Sequence, residues 1–122
     1  MASVPETVAA YIAAWSETDD AKRRALIEQA WAEDGLYVDP AAEGRGRDAL
    51  AQIIAGFHAQ APGGRIDVAS GIDQHHNQVR FAWNFVQADG KTAIEGIDVG
   101  ELAEDGRLAR IVGFWGAPPA KA

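Results

Sequence analysis

Cysteine is absent from this 122-residue chain, and methionine occurs once. Without cysteine there is no disulfide, no thiolate metal site and no thiol nucleophile. Basic charge is also scarce: 11 Lys and Arg face 18 Asp and Glu, for a net charge of −7. Phosphate backbones are bound by basic surfaces, so no nucleic-acid partner is expected. An anionic membrane surface is disfavoured for the same reason. No apolar run approaches the roughly 20 residues needed to cross a bilayer. The N-terminus lacks a basic segment followed by an apolar one, so it does not read as a signal peptide. These absences predict a soluble, cytoplasmic chain with no membrane partner. The length suits one domain, over residues 1–117, with Pro118 to Ala122 as a flexible tail.

Apolar residues make up 48 % of the chain, but 25 residues are alanine, so the core rests on few larger side chains. Ser3 and Glu6 have capping-box spacing, and Val4, Val8, Tyr11, Ile12 and Trp15 follow on one helical face. A second helix is expected after Thr18-Asp19-Asp20, carrying Leu26, Ile27, Ala30 and Trp31 and stopping at Gly35. Leu36-Tyr37-Val38 reads as a short strand ended by Asp39-Pro40, and Gly44-Arg45-Gly46 as a loop. A third helix is expected from about Asp48 to His58. From Arg65 the pattern turns to β. Ile66 and Val68 suggest one strand, and Val79, Phe81, Trp83 and Phe85 alternate along another. Asp89-Gly90 and Asp105-Gly106 read as two-residue hairpin turns joining it to Thr92–Leu102 and Leu108–Trp115. Helices followed by an antiparallel meander give an α+β fold.

Hairpin register singles out one carboxylate. With Asp89-Gly90 at the centre of the first turn, Asp98 lies opposite Phe81, Gly96 opposite Trp83, and Arg80 opposite Val99. The second turn sets Asp98 opposite Gly113, Gly100 opposite Ile111, and Glu101 opposite Arg110, a sensible charge pair. Asp is rare inside strands. Here it has an aromatic on one side and a glycine on the other, with Gly96 and Gly100 along its own strand. Three missing side chains would leave a cavity in which a carboxyl group loses hydration and holds its proton more tightly. The glycines would equally let the sheet bend, and a slip of one residue would turn Asp98 to the Arg80 face.

The order of elements from about Val4 to Gly116 resembles the nuclear transport factor 2-like superfamily, in its SnoaL-like and ketosteroid isomerase-like branch. Three short matches carry the resemblance: Tyr11-Ile12-Ala13-Ala14 on the first helix, Asp39-Pro40 after the first strand, and Ile97-Asp98 on a late strand. The resemblance implies a cone-shaped α+β barrel, with three helices packed on a curved, mainly antiparallel sheet. It implies Tyr11 and Asp98 as donors to a developing oxyanion and Asp39 as general base. In the SnoaL-like cyclases the late-strand Asp is itself acid/base, so the roles of Asp39 and Asp98 are exchangeable. By residue type alone, Tyr11 also reads as a core aromatic and Asp39 as a turn residue.

This constellation suits removal of a proton next to a carbonyl. One carboxylate must be ionised, and donors must face the enolate oxygen. Trp15, Phe57, Phe81, Trp83, Phe85 and Trp115 would line an apolar pocket for a small cyclic ketone or polyketide-like molecule. No cofactor and no metal is expected. Adjacent His75 and His76 point to opposite faces of a strand and lack further ligands, though one of them could shuttle protons at the pocket mouth. A limonene epoxide hydrolase-like activity would need an arginine between two aspartates, and Arg80 lies on the wrong face for it. A non-catalytic ligand-binding domain is the other alternative. Ile97, Val99, Val112 and Phe114 make the second sheet face partly apolar, which suggests a homodimer.

Overall fold

The computed structural model describes residues 2–121; Ala122 of the expected tail lies outside the described residues. Helix α1 spans Val4–Ser16, with the Ser3–Glu6 capping box formed as expected. Helix α2 (Asp20–Ala30) is capped by the Asp19 carboxylate, which accepts from the Lys22 N–H over 2.9 Å. Buried Arg23 donates from Nε and Nη2 to the Glu17 carbonyl, satisfying a polar group at the end of α1.

Trp31 departs from the helical expectation. The chain becomes extended there, and β1 runs Trp31–Val38. Spacing from Ile27 fits a helix, but the Trp31 ring is fully buried and needs a partner for its N–H. It stacks on Tyr11 at 5.7 Å and donates to the Gly35 carbonyl over 3.2 Å. A Cβ on Gly35 would meet the indole at 2.5 Å. Gly35 is therefore a tight spot inside β1, where the register shifts, and not a helix stop.

Of the Gly44-Arg45-Gly46 segment expected as a loop, Gly44 and Arg45 belong to a short strand β2 (Glu43–Arg45) antiparallel to β1. Helix α3 spans Arg47–Gln60. The remaining strands are β3 (Arg65–Val68), β4 (Asp73–His75), β5 (Gln78–Val86), β6 (Thr92–Leu102) and β7 (Leu108–Trp115). The sheet order is β2-β1-β7-β6-β5-β3, with β4 also paired to β5. Only the β1–β7 pairing is parallel. The sheet does not close into a barrel; β2 and β3 lie at its two ends. The three helices pack on this mixed sheet, and Val8, Tyr11, Trp31, Leu50, Phe81 and Ile111 meet in the core between them.

The expected hairpin registers are present, with Phe81 opposite Asp98 and Asp98 opposite Gly113. The turns differ. Gly90 and Gly106 donate to the carbonyls of Gln87 and Ala103 and hold φ near +86° and +87°, which makes each loop three residues long. A bulge then restores the register: Ala93 is the extra residue between Phe85–Ile94 and Val86–Thr92, and Ala109 is its counterpart in β7.

Candidate active site

A cavity of about 750 Å³ opens between α1, α3, the end of β1 and the β5–β6 hairpin. Asp98 reaches it from the middle of β6 and is 5 % exposed. Its neighbours explain both the space and the burial. A Cβ on Gly113 would lie 2.9 Å from Asp98 Oδ1 and 3.6 Å from Asp39 Cβ, so the two carboxylates flank one missing side chain. The other two glycines do not open the cavity. The indole of Trp83 covers Gly96, and Ile111 and Val79 fill the space beside Gly100.

Trp83 Nε1 donates to Asp98 Oδ1 over 2.9 Å. Oδ2 makes no hydrogen bond within the described protein and is left to the cavity. Burial pushes the Asp98 carboxyl up to about 7, with the Trp83 hydrogen bond opposing the rise and the Asp39 charge adding to it. The group thus exchanges its proton near neutral pH.

Asp39 is held differently. Its Oδ1 accepts from the backbone N–H of Ala41 and of Ala42, each at 2.8 Å. Its Oδ2 accepts from the Tyr37 hydroxyl at 2.5 Å. The Asp39-Pro40 turn fixes the first two contacts, since an Asp side chain readily caps its own turn. Alternation fixes the third, because Asp39 directly follows β1 and residues two apart in extended chain share a face. Tyr37 lies in the cavity wall and is not among the residues that the sequence singles out. Burial, reinforced by the adjacent Asp39, pushes its phenol far above the ordinary range.

Tyr11 lines the same cavity from α1. Burial raises its phenol well above the ordinary value, and the Asp98 charge adds to this. Trp15, Phe57, Trp83, Phe85 and Trp115 also line the cavity, as expected. Phe81 does not. It is 1 % exposed and packs in the core cluster with Val8, Tyr11 and Ile111, which leaves none of it for the cavity lining. Three of the aromatic walls interlock edge-on: Trp15 with Phe57 at 5.7 Å, and Phe57 with Phe85 at 5.0 Å.

Other candidates stand apart. His75 and His76 are exposed in and beside β4, bonded to each other at 3.1 Å, and neither lines the cavity. They therefore supply no proton shuttle at the mouth. Among the described residues no group of three or more His, Asp or Glu side chains is arranged to hold a metal ion. Arg80 binds Asp73 on the exposed side of the sheet at 2.7 Å, and no arginine lines the cavity. The Asp–Arg–Asp set of an epoxide hydrolase is not assembled. No described helix is long and apolar enough to cross a membrane.

The sequence matches the family model of the SnoaL-like domain over residues 8–111. A crystal structure from Agrobacterium tumefaciens strain C58, provisionally described as an isomerase of the SnoaL-like family, is 38 % identical. It superposes with a TM-score of 0.87 over 93 % of this chain and 97 % of that one. A protein from Sinorhizobium meliloti, provisionally described as a polyketide cyclase, is 16 % identical, with a TM-score of 0.71 over 89 % and 94 % of the two chains. A nuclear transport factor 2-like protein of unknown function from Exiguobacterium is 20 % identical, with a TM-score of 0.70 over 92 % and 99 %. The last two share the fold alone: three helices on a mixed, mostly antiparallel, open sheet. None of the curated proteins matches this sequence significantly.

Proposed function

This chain belongs to the SnoaL-like domain family, and from the groups in its cavity we propose an acid/base enzyme for a small apolar cyclic ketone or polyketide-like molecule. One observation carries the reading. Asp98 has one oxygen held by Trp83 and the other free in an apolar cavity beside the Tyr11 phenol. A carboxyl group that exchanges its proton near pH 7 can both accept a proton from carbon and return it.

In this reading Asp98, when ionised, removes the proton next to the substrate carbonyl. The negative charge moves to the carbonyl oxygen, where the Tyr11 O–H donates to it. Protonated Asp98 then returns the proton to a second carbon, as in isomerisation; in a cyclisation the enolate carbon instead adds to a second carbonyl carbon of the substrate, the C=O π electrons pass to that oxygen, and Asp98 gives the oxygen its proton. Asp39 already accepts three hydrogen bonds, so its part is to orient Tyr37 and to hold a negative charge near Asp98. This exchanges the roles that the family resemblance suggested for the two carboxylates. The cross-strand pairs Ile97–Phe114 and Val99–Val112 on the far face of β6 and β7, where Ile97, Val99 and Phe114 are exposed and Val112 half-buried, support a homodimer as the working form.

The test is binding of 2-naphthol across pH, followed by tryptophan quenching, in wild type and Asp98→Asn. A phenolate resembles an enolate oxyanion. Saturable binding with a pH dependence near neutrality that Asp98→Asn flattens is the expected result. No saturable binding at any pH overturns the reading.

A further inference from the structure

Helix α3 contributes Gln52, Gly56 and Gln60 to the cavity, three positions four residues apart and therefore on one line along the helix. The middle one is a glycine. Glycine is the poorest helix former after proline, so inside a helix it calls for a reason. The usual reasons fail here. Gly56 does not adopt the left-handed backbone found at Gly46 or Gly63. It does not give way to a neighbour either: a Cβ built on it meets no heavy atom within 4 Å. By contrast, a Cβ on Gly35, Gly44, Gly64 or Gly100 would press on a packed side chain or backbone atom. Gly56 is exposed and lines the cavity, so the space it leaves empty lies at the cavity's open edge.

We propose that Gly56 is the specificity-determining residue of the site, a notch in the α3 wall that admits a flat apolar molecule of three or more fused rings. This rests on the reading of the cavity as an acid/base site for cyclic molecules. The cavity, at about 750 Å³, is larger than a two-ring compound requires. A larger ring system with its carbonyl end at Asp98 and Tyr11 would lay its far edge against the bare backbone of Gly56. The side-chain amides of Gln52 and Gln60, which make no hydrogen bond within the described protein, flank that edge. They would accept or donate to a neutral polar substituent there.

The experiment compares 2-naphthol, with two rings, and 9-phenanthrol, with three, in wild type, Gly56→Ala and Gly56→Leu, alongside thermal melts. The Ala variant should melt a few degrees higher than wild type, because it improves the helix without meeting a neighbour. Its affinity for 2-naphthol should stay within about threefold, while that for 9-phenanthrol falls about tenfold. The Leu variant should lose 9-phenanthrol binding by about a hundredfold. Unchanged 9-phenanthrol affinity in a folded Leu variant overturns the proposal. So does a lower melting temperature in the Ala variant with equal loss of both phenols, which would make the glycine a packing residue. Wild type that binds 2-naphthol while the variants fail to discriminate rejects the notch alone. Wild type that binds neither phenol rejects the acid/base site and the notch together.

Discussion

Trp83 reaches Asp98 diagonally across the β5–β6 ladder, its indole lying over Gly96 and its N–H meeting Asp98 Oδ1 at 2.9 Å. That contact favours the ionised carboxylate, and it works against the burial that favours the protonated one. Trp83→Phe removes the donor and keeps most of the apolar ring. The Asp98 titration should then move to higher pH than in wild type. Carbon-13 chemical shifts of the Asp98 carboxyl, or the pH midpoint of 2-naphthol binding, would report it. A midpoint that stays put or falls contradicts the hydrogen-bond account.

Asp39→Asn should move the same titration the other way. The Asp39 charge raises the Asp98 proton affinity, and asparagine removes that charge while keeping a side chain of the same shape for Ala41 and Ala42. The acid shift is checked by the same two measurements. If Asp39 is the proton acceptor instead, the substitution abolishes α-proton exchange of a cyclic ketone in deuterium oxide while 2-naphthol still binds with its midpoint unmoved. The two outcomes separate the roles of the two carboxylates.

Asp98 also makes a prediction about stability. Its unfolded-state value lies near 4 and its folded value near 7. Between those limits the folded protein binds more protons than the unfolded chain, so stability falls as pH rises. The contribution is complete below about pH 4 and lost as pH passes 7. An asparagine side chain does not titrate, so Asp98→Asn should gain stability relative to wild type by on the order of 3–4 kcal/mol between pH 4 and 8. Urea unfolding of both proteins at the two pH values measures this. Proton exchange from a ketone substrate should fall about 10²- to 10⁴-fold in the same variant.

The far face of the sheet gives a test of assembly. Phe114 is 60 % exposed and lies opposite Ile97, with Val99 and Val112 as the next pair on that face. Phe114→Glu should convert a dimer to a monomer in sedimentation equilibrium, without changing 2-naphthol binding. A wild-type protein that sediments as a monomer at all concentrations contradicts the expected association.

Much of this arrangement is legible in the sequence, and each part that is not has a physical cause. The alternation of Val79, Phe81, Trp83 and Phe85 shows which face β5 buries, and the two Asp-Gly turns place Asp98 opposite Phe81 and Gly113. Trp31 misleads because four-residue spacing from Ile27 fits a helix as well as it fits a buried ring. Only the stack on Tyr11 and the bond to Gly35 decide between them. Phe81 reads as a pocket residue because alternation gives a face and not a depth. Tyr37 escapes notice because its three-residue strand motif looks complete without chemistry. The shared face of Tyr37 and Asp39 is nevertheless available from the two-residue period. Gly96 and Gly100 read as cavity because a sequence does not say which neighbour leans into a missing side chain.

The hairpins carry a consequence of their own. Each three-residue loop shifts the strand frame by one, and Ala93 or Ala109 shifts it back, much as a second-site insertion suppresses a frameshift. A regular β6 that paired Ala93 with Phe85 would set Asp98 opposite Arg80 and face it outward. The buried carboxylate therefore depends on the kink at Ala93. A lineage can vary the Asp89-Gly90 turn while Gln87 still faces Lys91, but one that irons out the bulge keeps its buried carboxylate only by dropping a residue from β6 as well.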